Sequence, residues 1–153
     1  MFLHIGKMHG SGIFKSTDGV YTGDFFDNQM HGQGTFTYTD DEVYIGGFFR
    51  DERQGKGTYR FASGDVYEGE YRDNVRTGQG VMKFKTGHTY EGDFVDNMLT
   101  VGTLTTKDGV CCVAVFKNDE TLDGTGQLGR YSVQLSLNGN LIADCKFLNG
   151  ELY

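Results

Sequence analysis

Three stretches of this chain repeat nearly the same text. Residues 22–38 read TGDFFDNQMHGQGTFTY, residues 45–61 read IGGFFRDERQGKGTYRF, and residues 68–84 read EGEYRDNVRTGQGVMKF. Aligning the second glycine of each Gly-x-Gly gives Gly12, Gly34, Gly57 and Gly80, then Gly102 after a degenerate Val101, then Gly126. The spacings are 22, 23, 23, 22 and 24 residues. A period in the range of about 20–50 residues marks a stacked repeat array, whose units bury their apolar faces only against neighbours. A second landmark, Tyr-x-Gly-x-aromatic, recurs as Tyr21-Gly23-Phe25, Tyr44-Gly46-Phe48, Tyr67-Gly69-Tyr71 and Tyr90-Gly92-Phe94. Cys112-Ala114-Phe116 is a worn copy.

Within each unit apolar residues alternate with polar ones, which is the period of a strand and not of a helix. Turn-forming residues separate the landmarks: Asp18-Gly19, Asp40 to Glu42, Ser63 to Asp65, Thr86 to His88, Asp108-Gly109. Each unit therefore reads as a β-hairpin. Symmetry suggests a register in which Tyr38 faces Tyr44, Phe36 faces Gly46 and Gly34 faces Phe48. One unit later, Phe61 then faces Tyr67, Tyr59 faces Gly69 and Gly57 faces Tyr71; after that Phe84 faces Tyr90, Met82 faces Gly92 and Gly80 faces Phe94. A strand glycine has no side chain to pack and more entropy to lose. A ring lying over the bare backbone offsets that loss. Composition fits this scheme, with 24 Gly, 12 Phe, 9 Tyr and no Pro or Trp in 153 residues.

The units resemble MORN repeats (membrane occupation and recognition nexus), whose pattern is roughly Tyr-x-Gly-x-(Phe/Trp)-x-x-Gly-x-x-His-Gly-x-Gly-x-(Phe/Tyr). The resemblance is strong over residues 9–94 and weaker to 116; His-Gly becomes Gln54-Gly55 and Thr77-Gly78 in two units. The expected fold is all-β, an elongated single-layer twisted antiparallel meander of about six stacked hairpins. Residues 1–8 read as a partial leading repeat, because aligning His9-Gly10 with His31-Gly32 sets Leu3 against Phe25. Residues 9–127 form the array, degenerate over 95–127. Residues 128–153 read as a divergent capping hairpin, with Leu137 facing Leu141, Leu135 facing Ala143, Val133 facing Cys145 and Tyr131 facing Phe147. A leading strand without its partner presents unpaired backbone groups, so self-assembly through this edge is a further expectation.

The sequence offers little catalytic chemistry. His9 and His31 stand 22 residues apart at equivalent positions, as expected of residues packing at a turn. Cys111 and Cys112 lack zinc-site spacing, and neighbours in a strand point to opposite faces. No helix follows the Gly-x-Gly motifs to complete a phosphate loop. We therefore expect no enzyme, no metal and no cofactor. The formal charge of −7 disfavours nucleic acid. Three cysteines, an odd number, fit a reducing compartment. Apolar runs are too short for a membrane helix, so we expect a cytoplasmic location, cytoskeletal or peripheral to a membrane.

Two surfaces are candidates for function. The ring face offers a partner-binding groove of Tyr38, Tyr44, Tyr59, Phe61, Tyr67, Phe84 and Tyr90, since MORN arrays take partner helices or peptides along a groove and serve as scaffolds. The alternative is an anionic-lipid site using Arg53, Lys56, Arg72, Arg76 and Lys85, with Arg53 and Arg76 side by side in successive inter-hairpin turns. In this register Arg60 faces Glu68 and Lys83 faces Glu91 as cross-strand ion pairs.

Overall fold

The computed structural model describes the backbone at residues 2–4, 6–109, 111–118, 130–137, 140–148 and 151–152, and side chains over residues 6–109. Every element is a strand. The first half comprises β1 (Phe2–His4), β2 (Lys7–Lys15), β3 (Gly19–Phe26), β4 (Gln29–Tyr38), β5 (Val43–Phe49), β6 (Glu52–Arg60) and β7 (Val66–Arg72). The second comprises β8 (Val75–Lys83), β9 (Thr89–Val95), β10 (Met98–Thr105), β11 (Cys111–Asn118), β12 (Arg130–Leu137), β13 (Asn140–Leu148) and β14 (Glu151–Leu152). They form one open antiparallel sheet in strict chain order, so β2 to β13 make the six expected hairpins. Strand β1 pairs Leu3 with Met8, as Phe25 pairs with Met30 one unit later. That is the placement the repeat alignment predicts for the leading residues. Gly126, the sixth landmark, and the turn residues Asn138 and Gly139 lie outside the described residues.

The register within the hairpins differs from the symmetric expectation by two residues. Phe36 faces Tyr44, Gly34 faces Gly46 and Gly32 faces Phe48. Tyr59 likewise faces Tyr67, Gly57 faces Gly69 and Gly55 faces Tyr71. Met82 faces Tyr90, Gly80 faces Gly92 and Gly78 faces Phe94. Glycine therefore faces glycine, and the covering ring comes from two residues earlier on the same strand. A Cβ added at Gly57 would meet the Tyr44 ring, with its Cε2 at 2.5 Å. One added at Gly46 would meet the Cα of Gly57 at 2.6 Å. The glycine pair lets Tyr44 lie flat along the sheet, and its hydroxyl donates to the Gly47 carbonyl at 3.0 Å. Tyr21, Tyr67 and Tyr90 do the same, donating to the carbonyls of Asp24, Glu70 and Asp93.

The turns are also redistributed. The tight ones lie between the expected hairpins, where Asp27-Asn28, Arg50-Asp51, Asp73-Asn74 and Asp96-Asn97 all have positive φ of 48–73°. Two successive residues with positive φ define the type I′ turn, whose twist matches the strands it joins. The Asp18-Gly19 connection is looser than expected, since Lys15 and Val20 are the last pair and four residues lie between them. A bulge follows each tight turn, and Gly32, Gly55 and Gly78 occupy it with φ of +63°, +73° and +61°. The first glycine of Gly-x-Gly thus serves backbone conformation, whereas the second serves packing. Near the C-terminal end, Tyr131, Val133 and Leu135 pair as expected, but a bulge moves Leu141 opposite Ser136 and Asn140 opposite Leu137. Cys112 faces Leu104.

Neighbouring tight turns are latched together. Asn74 donates its backbone N–H to the Arg53 carbonyl at 3.1 Å, and its Oδ1 accepts from the Arg53 N–H at 2.9 Å. Asn97 holds Arg76, Asp51 holds Met30 and Asn28 holds Met8 by the same pair of bonds. The opposite ends of the strands have their own latch. Glu42 accepts from the Ala62 N–H, Asp65 from the Lys85 N–H and His88 Nδ1 from the Lys107 N–H.

Two outcomes follow for stability. Gly46→Val or Gly69→Val should cost about 3 kcal/mol or more in urea unfolding, because backbone and a buried ring block the new side chain. Thr37→Val, on the exposed face, should stay within about 0.5 kcal/mol of the parent. Asn74→Ala or Asn97→Ala should cost about 1–3 kcal/mol, since a backbone N–H loses its acceptor and the turn loses a residue suited to positive φ; an unchanged midpoint would remove the latch from the account.

Candidate functional site

The sheet has two faces of different character. On the ring face, rings form a continuous edge-to-face chain: Phe25, Tyr21, Phe48, Tyr44, Tyr71, Tyr67, Phe94, Tyr90. Centroid separations run from 4.8 to 5.5 Å and interplanar angles from 74° to 88°. Edge-to-face contacts add roughly 0.5–1.5 kcal/mol each beyond the burial of their area. Beside this chain, Phe36, Tyr38, Tyr59 and Phe61 stack at centroid distances of 4.5–5.9 Å.

This arrangement corrects the expected groove. Tyr44, Tyr67 and Tyr90 are fully buried, Tyr59, Phe61 and Phe84 are buried, and Tyr38 is half-buried. These rings are the core of the sheet, and of the seven only Tyr38 keeps a half-buried edge. Burial pushes the Tyr21, Tyr44 and Tyr90 hydroxyls up to about 12. Tyr67 and Tyr71 are raised further by the same cause. Tyr59 is raised by burial and by donating to the Glu42 carboxylate at 2.5 Å.

The cationic set is corrected too. Arg53 and Arg76 are not in turns; they lie one repeat apart on the ring face and complete its cover. The Arg53 guanidinium stands over Tyr44, Tyr59 and Tyr71 at 5.4–5.7 Å and donates to the Asn74 carbonyl at 2.9 Å. Arg76 is buried over Phe61 and Tyr67 at 5.4 and 5.5 Å. Such stacking supplies both a hydrocarbon lid and cation–π attraction. Lys56, Arg72 and Lys85 are exposed but do not share a patch with them: Lys56 and Arg72 lie on the opposite face, and Lys85 lies beyond the end of β8. Arg60 faces Val66 and Lys83 faces Thr89, so neither forms its expected pair. Lys83 instead bridges diagonally to Glu68 at 3.0 Å.

The opposite, open face carries what the ring face lacks. A trough of about 570 Å³ crosses the strands from β4 to β9. Its floor is the bare backbone of Gly46, Gly57, Gly69 and Gly80, and its walls include Ile45, Thr58, Val81, Glu68, Glu70 and Glu91. The furrow runs between the side chains that flank these glycines on each strand, such as Lys56 and Thr58 beside Gly57. Towards the N-terminal units this face becomes aromatic. His9, Phe26, His31 and Phe49 stack in sequence at 5.0–5.6 Å, with Phe26 and Phe49 exposed.

That stack explains the histidines. His9 Nδ1 accepts from the Asp27 N–H at 3.5 Å, and Gln54 Oε1 accepts from the Asp73 N–H at 3.1 Å at the equivalent place. Glutamine in the histidine position preserves the acceptor that serves the first N–H of the next tight turn. Among the described residues, no group of three His, Cys, Asp or Glu could hold a metal ion, and no helix is long and apolar enough to cross a membrane.

The recurring tyrosine over a glycine pair, the bulge glycine and the tight turn correspond to a known repeat. The MORN repeat model matches four consecutive segments, residues 4–20, 21–43, 44–66 and 67–89. The chain belongs to the MORN-repeat family. The matched units coincide with the geometry, since three of them start at the flat-lying Tyr21, Tyr44 and Tyr67 and all four end one residue before such a tyrosine. No curated protein matches the chain. MORN arrays act in general as repeat scaffolds or as membrane- or protein-interaction modules.

The alkaline limb of stability follows from the buried hydroxyls. Folded-state values above the ordinary value near 10 mean that the neutral hydroxyl is favoured by folding. The associated stability is complete below pH 10 and is lost as pH rises towards 12. Melting temperature should fall steeply across that window, and tyrosinate absorbance should rise together with loss of the strand signal in circular dichroism. Titration of all nine tyrosines near pH 10 in a still-folded protein would contradict the ring core.

Proposed function

We propose that this chain is a non-catalytic interaction scaffold whose working surface is the open face and its trough. One observation carries this reading: the aromatic rings are consumed by the core, while the opposite face keeps a furrow across six strands with exposed apolar and charged walls. Solenoid-like arrays use long continuous surfaces of this kind for partners. Among the described residues the open face brings together no nucleophile, base and oxyanion donor, which speaks for binding over catalysis. The odd cysteine count supports a cytoplasmic setting, with the cytoskeleton or a membrane periphery as the place of assembly.

The test compares protein capture with lipid binding. A benzophenone amino acid at Thr58, in the trough, should crosslink a discrete protein or a second copy of the chain in host-cell extract. The same group at Ser63, in an exposed loop, should not. Vesicles containing phosphatidylserine should leave the protein in the supernatant at physiological salt. Strong sedimentation that Lys56→Glu with Arg72→Glu abolishes, without a protein crosslink at Thr58, would replace this reading with a lipid-directed one.

A further inference from the structure

The charge and shape of the trough specify a partner chemistry. We propose that it binds an extended segment of another protein that alternates lysine or arginine with small apolar residues. This rests on the interaction reading above and narrows it to one class of ligand.

Charge is the first argument. The two central rows of the open face hold Asp24, Glu68, Glu70, Glu91 and Asp93, and against them only Lys56. On the strands that the trough crosses, the other cations of this face, Arg60, Lys83 and Arg72, stand on its rims at the strand ends. Lys83 reaches inward to Glu68, and Asp93 is held by the Gln79 amide. The side-chain carboxylates of Glu70 and Glu91 line the trough without a hydrogen bond or ion pair among the described residues. Glu70 faces Lys56 across the strands at the near wall, and Glu91 faces Val81 at the far end. A ligand cation arriving at the centre meets more carboxylates than the one lysine of these rows can balance. A cation at the rim meets like charge. Complementarity of this kind selects partners and fixes their register.

Shape is the second. Six strands at about 4.8 Å spacing make the trough about 24 Å long. Its walls are residues two apart on the same strand, such as Glu68 and Glu70 on either side of Gly69, so they stand about 6.6 Å apart at ~3.3 Å per residue. An α-helix is about 10 Å across, whereas extended chains pack side by side at about 4.8 Å. An extended chain of about seven residues spans the same length at ~3.3 Å per residue. Its side chains then alternate between the trough and solvent. Ile45 at one end and Val81 towards the other offer apolar contact between the carboxylates, and the glycine floor allows close approach. A furrow with walls this close is too narrow to sink a helix and has the width of a strand-like segment.

The probe is a fluorescein-labelled Lys-Val-Lys-Val-Lys-Val-Lys peptide read by fluorescence anisotropy against the full chain. It should bind at least tenfold more tightly than the matched Glu-Val peptide and at least threefold more tightly than a Lys-Gly peptide of equal charge. Glu70→Gln with Glu91→Gln should weaken it at least fivefold, with circular dichroism unchanged. Asp41→Asn with Asp108→Asn, which removes two loop charges outside the trough, should leave affinity within twofold. Raising salt from about 50 to 300 mM should weaken binding, because ion pairing contributes to it. Equal loss from the loop pair and the trough pair would show diffuse attraction and overturn the site. Absence of cationic-peptide binding while Thr58 still crosslinks a protein would overturn this ligand class and leave the interaction reading standing. Failure of both would remove both.

Discussion

A tyrosine lying flat over two facing glycines is the contact on which the rest of this molecule depends. A single-layer sheet has no second layer to bury its apolar side chains, so its core must be made within its own thickness. Tyr44 lies along the sheet over Gly46 and Gly57, and its ring then meets Phe48 on its own strand and Tyr71 on the next unit. The hydroxyl at the far end stays hydrogen-bonded to backbone, so a large amphipathic side chain is buried without an unmet donor. Repeating this contact every unit builds a one-dimensional core of interlocked edges. Each ring is covered by its neighbours, with Arg53 and Arg76 closing the places where the rings alone leave a gap.

The same contact dictates what surrounds it. Glycines in facing positions bring strands together without side chains between them, and the bulge glycine two residues earlier re-aims the chain as it leaves the tight turn. Hydrogen bonding at both strand ends then holds consecutive units in phase: asparagine or aspartate at the tight turns, and glutamate, aspartate or histidine at the wider loops. Side-chain identity at these latches varies while the acceptor is kept. Their repetition makes stability a sum of nearest-neighbour terms, as expected for a repeat array.

Stability is concentrated on the ring face. Because strand residues alternate in direction, the positions between tyrosine, glycine and phenylalanine are free to vary without disturbing the core. Those positions carry Thr22 and Asp24 in one unit, Ile45 and Gly47 in the next, Glu68 and Glu70 in the third and Glu91 and Asp93 in the fourth. The open face is where this chain differs from unit to unit, ending in two acidic pairs, and the trough lies within it. In the proposed scaffold, recognition falls to residues that the fold does not need.

The sequence alone determined the strand class, the period, the six hairpins and the family, because period-two alternation and a glycine recurrence of 22 or 23 residues admit no other local reading. It also placed the leading residues correctly, since Leu3 beside Met8 follows from the alignment with Phe25. It did not determine the register. A shift of two residues keeps every side chain on its face, so both the symmetric pairing of Gly46 with Phe36 and the observed pairing with Gly34 satisfy the same pattern. Only the tight turns with positive φ at Arg50-Asp51 and its equivalents, together with the bulges, choose between them. That choice decided which rings are buried, turning the expected groove of Tyr44, Tyr59 and Tyr67 into core and drawing Arg53 and Arg76 onto it. The trough on the other side was invisible in the sequence, because its walls are assembled from side chains of six adjacent strands. Adjacency of that kind exists only once the units are stacked.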